Sequence, residues 1–124
     1  MEKRHKLIIY NRLMYKEIDL LAECKQISIG TDYDNEIRLK KDWFFYDFSF
    51  QLMNQDGQWE IYCRNGSYID LGDIRRLLTM ALSHGDVFSL NHQDSDYELL
   101  RVAFQIDFDY EDKKYNCILQ IPVG

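Results

Sequence analysis

Residues 48–71 have the sequence FSFQLMNQDGQWEIYCRNGSYIDL. This stretch decides the fold class, because it holds three strand patterns separated by two tight-turn signals. In the first pattern Phe48, Phe50 and Leu52 occupy every second position, and alternate residues of a strand lie on the same face of a sheet. We therefore expect Phe48 and Phe50 to pack in the core of a β protein.

Two dipeptides that favour tight turns connect these strand patterns. Asp56-Gly57 predicts a hairpin, because both residue types tolerate the positive φ angles of a two-residue turn, and residues 59–63 then form the returning strand. Asn65-Gly66 predicts a second tight turn, which a strand over residues 67–71 follows.

Further strand patterns lie on both sides of this stretch. They cover residues 6–11, 17–21, 26–30, 36–39, 86–90, 99–110 and 115–123, and the last two predict a closing hairpin. The regular spacing of short strands predicts an all-β sandwich or barrel. We expect at least nine strands in two packed sheets. The expected core residues are Ile27, Ile29, Leu52, Trp59 and Ile61.

Residues 73–83 carry a competing, helical pattern. Their apolar side chains lie at helical spacing behind Asp73, an N-cap residue type, and Gly85 follows the end of the pattern. These side chains are Ile74, Leu77, Leu78, Ala81 and Leu82. Taken alone, the segment predicts a helix.

Size and charge exclude several classes of function. The 124 residues suffice for one domain whose core needs neither disulfides nor metal. A formal net charge of -6 disfavours nucleic acid as a partner, since a phosphate backbone attracts the opposite charge. No apolar run approaches the roughly 20 residues of a transmembrane helix, so we expect no direct membrane insertion by this segment.

The reactive residue types form no recognisable catalytic or metal-binding pattern. Cys24, Cys63 and Cys117 are odd in number and widely spaced, which indicates reduced thiols rather than disulfides. Cys63, inside a strand pattern, is expected to be a structural thiol and not a nucleophile. No close Cys or His pair suits zinc, and no nucleophile motif is present. We expect no catalytic residue, no cofactor and no metal.

The order of these elements resembles a forkhead-associated (FHA) domain, an eleven-stranded β-sandwich that usually binds phosphothreonine peptides through its loops. The matching elements are Ile27-Ser28-Ile29-Gly30 with Asn35-Glu36-Ile37-Arg38-Leu39, Phe50-Gln51-Leu52 with Trp59-Glu60-Ile61, Asn65-Gly66-Ser67-Tyr68-Ile69, and Leu82-Ser83-His84-Gly85-Asp86-Val87-Phe88. The resemblance implies one domain over residues 1–124, with a core at about 6–110 and a closing strand at 115–123. It also implies that residues 73–83 are mostly extended or loop.

The phosphate-binding residues of the family are largely missing. Thr31 stands where the family has an arginine after the turn glycine. In one register Tyr46 and Ser49 replace the phosphate-binding serine and its supporting histidine; in the other, Ser49 matches the serine and Leu52 replaces the histidine. Asn65 matches in both registers and normally holds the peptide backbone. The resemblance therefore implies a degenerate domain with weak or no phosphothreonine binding.

A narrower resemblance is to the amino-terminal FHA region of the EssC family, the membrane-anchored FtsK/SpoIIIE-type ATPases of Firmicute type VII secretion systems. It rests on Lys6-Leu7-Ile8-Ile9-Tyr10-Asn11, the strand over residues 25–30 and the missing phosphate residues. It implies a non-catalytic interaction module at the cytoplasmic face of the membrane, ahead of the transmembrane helices, with the ATPase activity elsewhere in the parent protein. The implied partners are other secretion components or its own oligomer.

Two alternatives remain open at this stage. The first is a genuine phosphothreonine-binding domain of a signalling or regulatory protein, whose phosphate is held by Arg38, Lys40, Lys41 or Arg64. The second concerns the aromatic residues in the loop before Phe48. Trp43, Phe45 and Tyr46 beside Lys40, Lys41 and Arg64 either form a partner-docking surface or fold back to cap the sandwich.

Overall fold

The computed structural model describes residues 4–107, which form ten strands in two packed sheets. The strands are β1 (Arg4–Tyr10), β2 (Tyr15–Leu20), β3 (Gln26–Gly30), β4 (Ile37–Arg38), β5 (Ser49–Gln55), β6 (Gln58–Arg64), β7 (Ser67–Asp70), β8 (Thr79–Ala81), β9 (Val87–His92) and β10 (Glu98–Asp107). The predicted all-β sandwich is therefore confirmed. The predicted strand at residues 115–123 and the last three residues of the one at 99–110 lie outside the described residues.

Each sheet has five strands. The first has the order β2-β1-β10-β9-β7 and the second the order β4-β3-β5-β6-β8. All neighbouring strands are antiparallel except β3 and β4, which pair in parallel through two residues. β1 and β10 pair along their full common length, from Arg4 opposite Asp107 to Tyr10 opposite Arg101. The first and last described strands therefore lie side by side at the centre of one sheet.

The core lies between the two sheets. Ile29, Leu52 and Ile61 are fully buried, as are the other predicted core residues Trp59, Phe48 and Phe50. Ile27 differs: it is half-buried and packs against the margin of the core. β4 pairs only with the last two residues of β3, so within residues 4–107 no strand covers this side of Ile27.

Trp59 also links the two sheets through a polar contact. Its indole Nε1 donates a hydrogen bond to His5 Nδ1 at 3.2 Å, from β6 in one sheet to β1 in the other. An indole N–H enclosed in the core needs an acceptor, because an unpaired donor there costs about 1–3 kcal/mol. His5 supplies that acceptor.

Both predicted tight turns are present with the backbone geometry that their sequences favour. Asp56 and Gly57 have φ angles of 52° and 86°, and Asn65 and Gly66 have 43° and 88°. Two consecutive positive φ angles are typical of the turns that match the twist of antiparallel strands.

Residues 73–83 are extended or loop, as the family resemblance implies, and the helix that the local pattern predicts is absent. Ile69 and Leu77 exchange two backbone hydrogen bonds, of 2.7 and 3.1 Å, and β8 pairs with β6. Arg76 has a φ angle of 62°, which interrupts any helix at that position. Strand pairing satisfies the backbone here, so the tertiary context overrides the apolar periodicity.

A polar network holds this segment against β7. The Tyr68 hydroxyl donates to the Asp96 carboxylate at 2.7 Å, and the Arg76 guanidinium lies 2.7 Å from the same carboxylate. The Tyr68 hydrogen bond and then the charge of Arg76 lower the pKa of Asp96 below its ordinary value. Ionised Asp96 is therefore favoured in the folded chain.

Among residues 4–107 the only helical element is a 3₁₀ turn, Lys41–Trp43. No helix within this range is both long and apolar enough to span a membrane.

Gly30 provides a first test of this architecture. A Cβ atom there would lie 2.5 Å from the carbonyl oxygen of Phe48 and 2.6 Å from Ser49 Cβ. We expect Gly30→Ala to lower the free energy of unfolding by about 1–3 kcal/mol, as overpacking in a core does. Urea denaturation measures it, with Gln26→Ala on the same strand as the control, expected to change stability by less than about 0.5 kcal/mol. Equal stability of the two variants would contradict the close approach of β3 and β5.

Candidate functional site

Thr31 joins the end of β3 to the start of β5. Its side chain is buried, and its hydroxyl oxygen accepts the backbone N–H of Phe48 at 3.1 Å. The hydroxyl proton has two acceptors, Asp47 Oδ1 at 3.1 Å and the Phe48 carbonyl oxygen at 3.3 Å. The backbone N–H of Thr31 also donates to that carbonyl oxygen, at 3.0 Å. Contacts within the domain therefore engage both the hydroxyl and the backbone N–H of Thr31.

Asp47 extends this connection to the loop before it. Its Oδ2 atom lies 3.2 Å from Lys41 Nζ, while Oδ1 faces Thr31. Both partners of the ion pair are more than half exposed, so its contribution to stability is small. The ion pair nevertheless engages Lys41, one of the cations proposed to bind a phosphate.

A shallow groove of about 250 Å³ lies at this end of the sandwich. Ser49, Arg64 and Asn65 form one side of it, and Asn65 Nδ2 donates to Ser49 Oγ at 3.3 Å. The segment 34–36, with Asp34, Asn35 and Glu36, forms the other side. The structure thus brings two of the predicted phosphopeptide-site residues, Ser49 and Asn65, into hydrogen-bond contact.

The charge of this groove does not suit an anion. Its lining carries the carboxylates Asp34 and Glu36 against a single guanidinium, Arg64. Of the other proposed phosphate ligands, Arg38 lies over the ring of Tyr33 at 5.4 Å and Lys41 pairs with Asp47. Lys40 is exposed in the residue before the 3₁₀ turn.

Tyr46 lies on a different part of the same end. Its ring stacks on the His92 ring at a centroid distance of 3.9 Å and meets the edge of Tyr97 at 5.9 Å. Phe45 is 79% exposed and contacts Tyr97 at 5.2 Å. Tyr46, which one register places at the phosphate-binding serine, is thus engaged by aromatic side chains.

The predicted partner-docking surface is divided between two places. Arg64 lines the groove beside Asn65, whereas Trp43 lines a separate groove together with Tyr97. Trp43 is also half-buried and packs against the core, which agrees with the capping alternative for this residue. Of the three aromatic residues, Phe45 alone is exposed, as a docking surface would require.

Sequence reasoning missed His92 and Tyr97, which complete the aromatic cluster. His92 is the last residue of β9 and Tyr97 directly precedes β10, and both are about 50 positions away from Tyr46 in the chain. No local pattern marks such a contact, because stacking between residues far apart in the chain depends on how the two sheets pack. Asn11, which positions Trp43, was missed for the same reason.

Cys63 is half-buried beside the core and has no catalytic environment. Burial raises the pKa of its thiol to about 11, although a hydrogen bond with Ser67 opposes the shift. The thiol therefore stays protonated at neutral pH, which argues against a nucleophile.

No family model and no curated protein matches this sequence. Solved structures do match. The Slr1951 protein of Synechocystis sp. has a TM-score of 0.59 at 16% identity, covering 87% of this chain and all of that one. The FHA-1 domain of Mycobacterium tuberculosis Rv1747 has a TM-score of 0.51 at 14% identity, covering 82% of this chain and 98% of that one.

The yeast Dun1 FHA domain, solved with a doubly phosphorylated peptide derived from Rad53, has a TM-score of 0.50 at 17% identity. The match covers 87% of this chain and 80% of the Dun1 chain. Together with the sheet order, these likenesses show that the chain has an FHA-like fold. The fold expected from the family resemblance is confirmed.

The Thr31 contacts give a second prediction. Thr31→Val keeps the shape of the side chain but leaves the buried N–H of Phe48 without an acceptor. We expect the free energy of unfolding to fall by about 1–3 kcal/mol. Thr31→Ser keeps the hydroxyl and is the matched control; urea denaturation should rank it above the valine variant. The reverse order would show that the methyl group of Thr31 matters more than its hydroxyl.

Proposed function

We propose that this domain is a non-catalytic protein–protein interaction module, a degenerate FHA domain with little or no phosphothreonine binding. The observation that carries the proposal is that the Thr31 side chain is engaged in hydrogen bonds within the domain. In the family resemblance this position belongs to the arginine that grips the phosphate. Here it holds a buried hydroxyl whose partners are Asp47 and Phe48.

The charges of the groove support the same conclusion. Each charge-assisted hydrogen bond to a phosphate contributes about 1.5–3 kcal/mol, and an arginine offers two of them in a fixed fork. Arg64 is the single cation among the described residues that line the groove, and Asp34 and Glu36 repel an incoming anion. The remaining Ser49–Asn65 pair can still hold an uncharged peptide backbone.

The parent protein that we propose is an EssC-type ATPase of a type VII secretion system. The support is the resemblance of residues 6–11 and 25–30 to the amino-terminal region of that family, together with the missing phosphate ligands. In this role the domain lies at the cytoplasmic face of the membrane and contacts other secretion components or further copies of itself. Catalysis belongs to the ATPase modules of the parent protein.

Calorimetric titration with a phosphothreonine peptide library tests the phosphate part of the proposal. We expect no dissociation constant tighter than about 100 μM, which corresponds to roughly -5.5 kcal/mol. The loss of the arginine fork is the physical reason. The unphosphorylated library is the control for binding that does not depend on phosphate.

A micromolar, phosphate-dependent affinity that Arg64→Ala abolishes would support the alternative, a genuine phosphothreonine-binding domain. Arg75→Ala, which removes an exposed arginine near the opposite end of β7, is the control variant for that measurement.

The secretion assignment has its own test. Transmembrane segments and Walker motifs encoded after Gly124 are expected, and their absence from the gene would refute it.

A further inference from the structure

A second and larger groove lies beside the aromatic cluster. It has a volume of about 650 Å³ and runs between the β1–β2 turn, the 3₁₀ turn and the start of β10. Its walls include Tyr10, Trp43 and Tyr97, and Leu99 is buried among the lining residues. This groove is separate from the one that contains Ser49 and Asn65.

Asn11 builds the groove by joining three segments of the chain. Its Nδ2 donates to the carbonyl oxygens of Trp43 and Leu99, at 3.3 and 3.2 Å. Its Oδ1 accepts the backbone N–H groups of Leu13 and Met14, at 2.8 and 3.0 Å. The amide therefore makes four hydrogen bonds, the full number that an asparagine side chain can make. The groove is consequently preformed, which lowers the entropy lost when a partner binds.

The aromatic walls continue onto the neighbouring surface. Tyr97, 42% exposed, contacts the ring of Phe45, which is 79% exposed. Leu13, at the opposite wall, is 66% exposed. Adjacent exposed aromatic and aliphatic side chains around a depression are the composition of an interaction site, and tryptophan and tyrosine dominate binding energies at such sites.

The charges at the rim indicate the chemistry of the occupant. Arg12 forms no ion pair with any residue between 4 and 107, and Arg101 has only Glu98, at 3.3 Å and with both partners about half exposed. The lining thus carries two guanidiniums and one carboxylate, an excess of positive charge on a chain whose formal net charge is -6. Guanidiniums at a rim pair with carboxylates of a partner.

We infer that this groove binds an acidic segment of a partner protein, with an apolar side chain seated between Trp43 and Tyr97 and flanking carboxylates paired with Arg12 and Arg101. The inference rests on the proposed interaction role and names the surface that performs it. A second copy of the chain is the competing occupant, which the dependence of the Trp43 signal on protein concentration distinguishes.

The two tryptophans make the test specific. In ¹⁵N-correlation spectra the indole N–H of Trp43 reports on the groove, and that of Trp59, which is bonded to His5 in the core, reports on the fold. The probe is a synthetic peptide with a Leu-Phe-Pro centre between two runs of three glutamates. The control probe carries lysines in place of the glutamates.

We expect the acidic peptide to shift the Trp43 indole signal and the backbone signals of residues 11–13, and to leave the Trp59 indole signal in place. The lysine peptide is expected to bind at least about tenfold more weakly. In the double variant Arg12→Glu with Arg101→Glu, affinity for the acidic peptide should fall at least about tenfold. Arg4→Glu with Lys25→Glu, which makes the same change in net charge away from the groove, should bind as the unaltered chain does.

Three outcomes would overturn the inference. One is no shift of the Trp43 signal at about 1 mM peptide, and another is equal affinity for the two peptides. The third is a Trp43 shift that depends on protein concentration without peptide, which would assign the groove to a second copy. If the first outcome is accompanied by shifts confined to Asn35, Ser49 and Asn65, the inference about this groove fails while the interaction role stands. Binding of no peptide at either groove, together with no association with other secretion components or with a second copy, would refute the proposed function itself.

Discussion

The hydrogen bond from the Phe48 backbone to the Thr31 hydroxyl is the contact on which the loop end of this sandwich depends. Phe48 lies one residue before β5, so no strand partner accepts its N–H in the regular ladder. Thr31 and Phe48 are both buried, and the Thr31 hydroxyl oxygen accepts the Phe48 N–H in place of a strand partner. It fixes where β5 starts, and thereby places Ser49 within hydrogen-bond distance of Asn65 and Asp47 within reach of Lys41.

Thr31 shows that a chain can keep this fold while its loop side chains differ from those that commonly bind the ligand. An FHA-like sandwich brings several loops to one end, and the ligand is decided by the side chains on those loops. Here the Thr31 hydroxyl is buried, and the charged side chains that line the groove are two carboxylates and one arginine. The larger, preformed and aromatic surface lies beside it, where Asn11 joins the β1–β2 turn to Trp43 and Leu99. We therefore place partner binding on that flank.

The strands were predictable because their signals are local. Alternation marked β3 with its observed bounds, and Asp56-Gly57 fixed the β5–β6 hairpin through its positive φ angles. Residues 73–83 show the limit of such signals, since their helical periodicity gives way to pairing with Ile69 and β6. The candidate sites were less predictable. The stacking of Tyr46 on His92 and the hydrogen bond from Asn11 to the Trp43 carbonyl join residues that are far apart in the chain and that only sheet packing brings together.

Amide hydrogen exchange of Phe48 tests the central claim most directly. If its N–H is held by the buried Thr31 hydroxyl, it should exchange as slowly as the core amides of Ile29 and Leu52, to within about tenfold, because release then requires global rather than local opening. The Phe45 amide, in the exposed part of the preceding loop, provides the fast reference in the same spectrum. Exchange of Phe48 at the rate of Phe45 would show that Thr31 does not fix this end of the sandwich, and the account would fail.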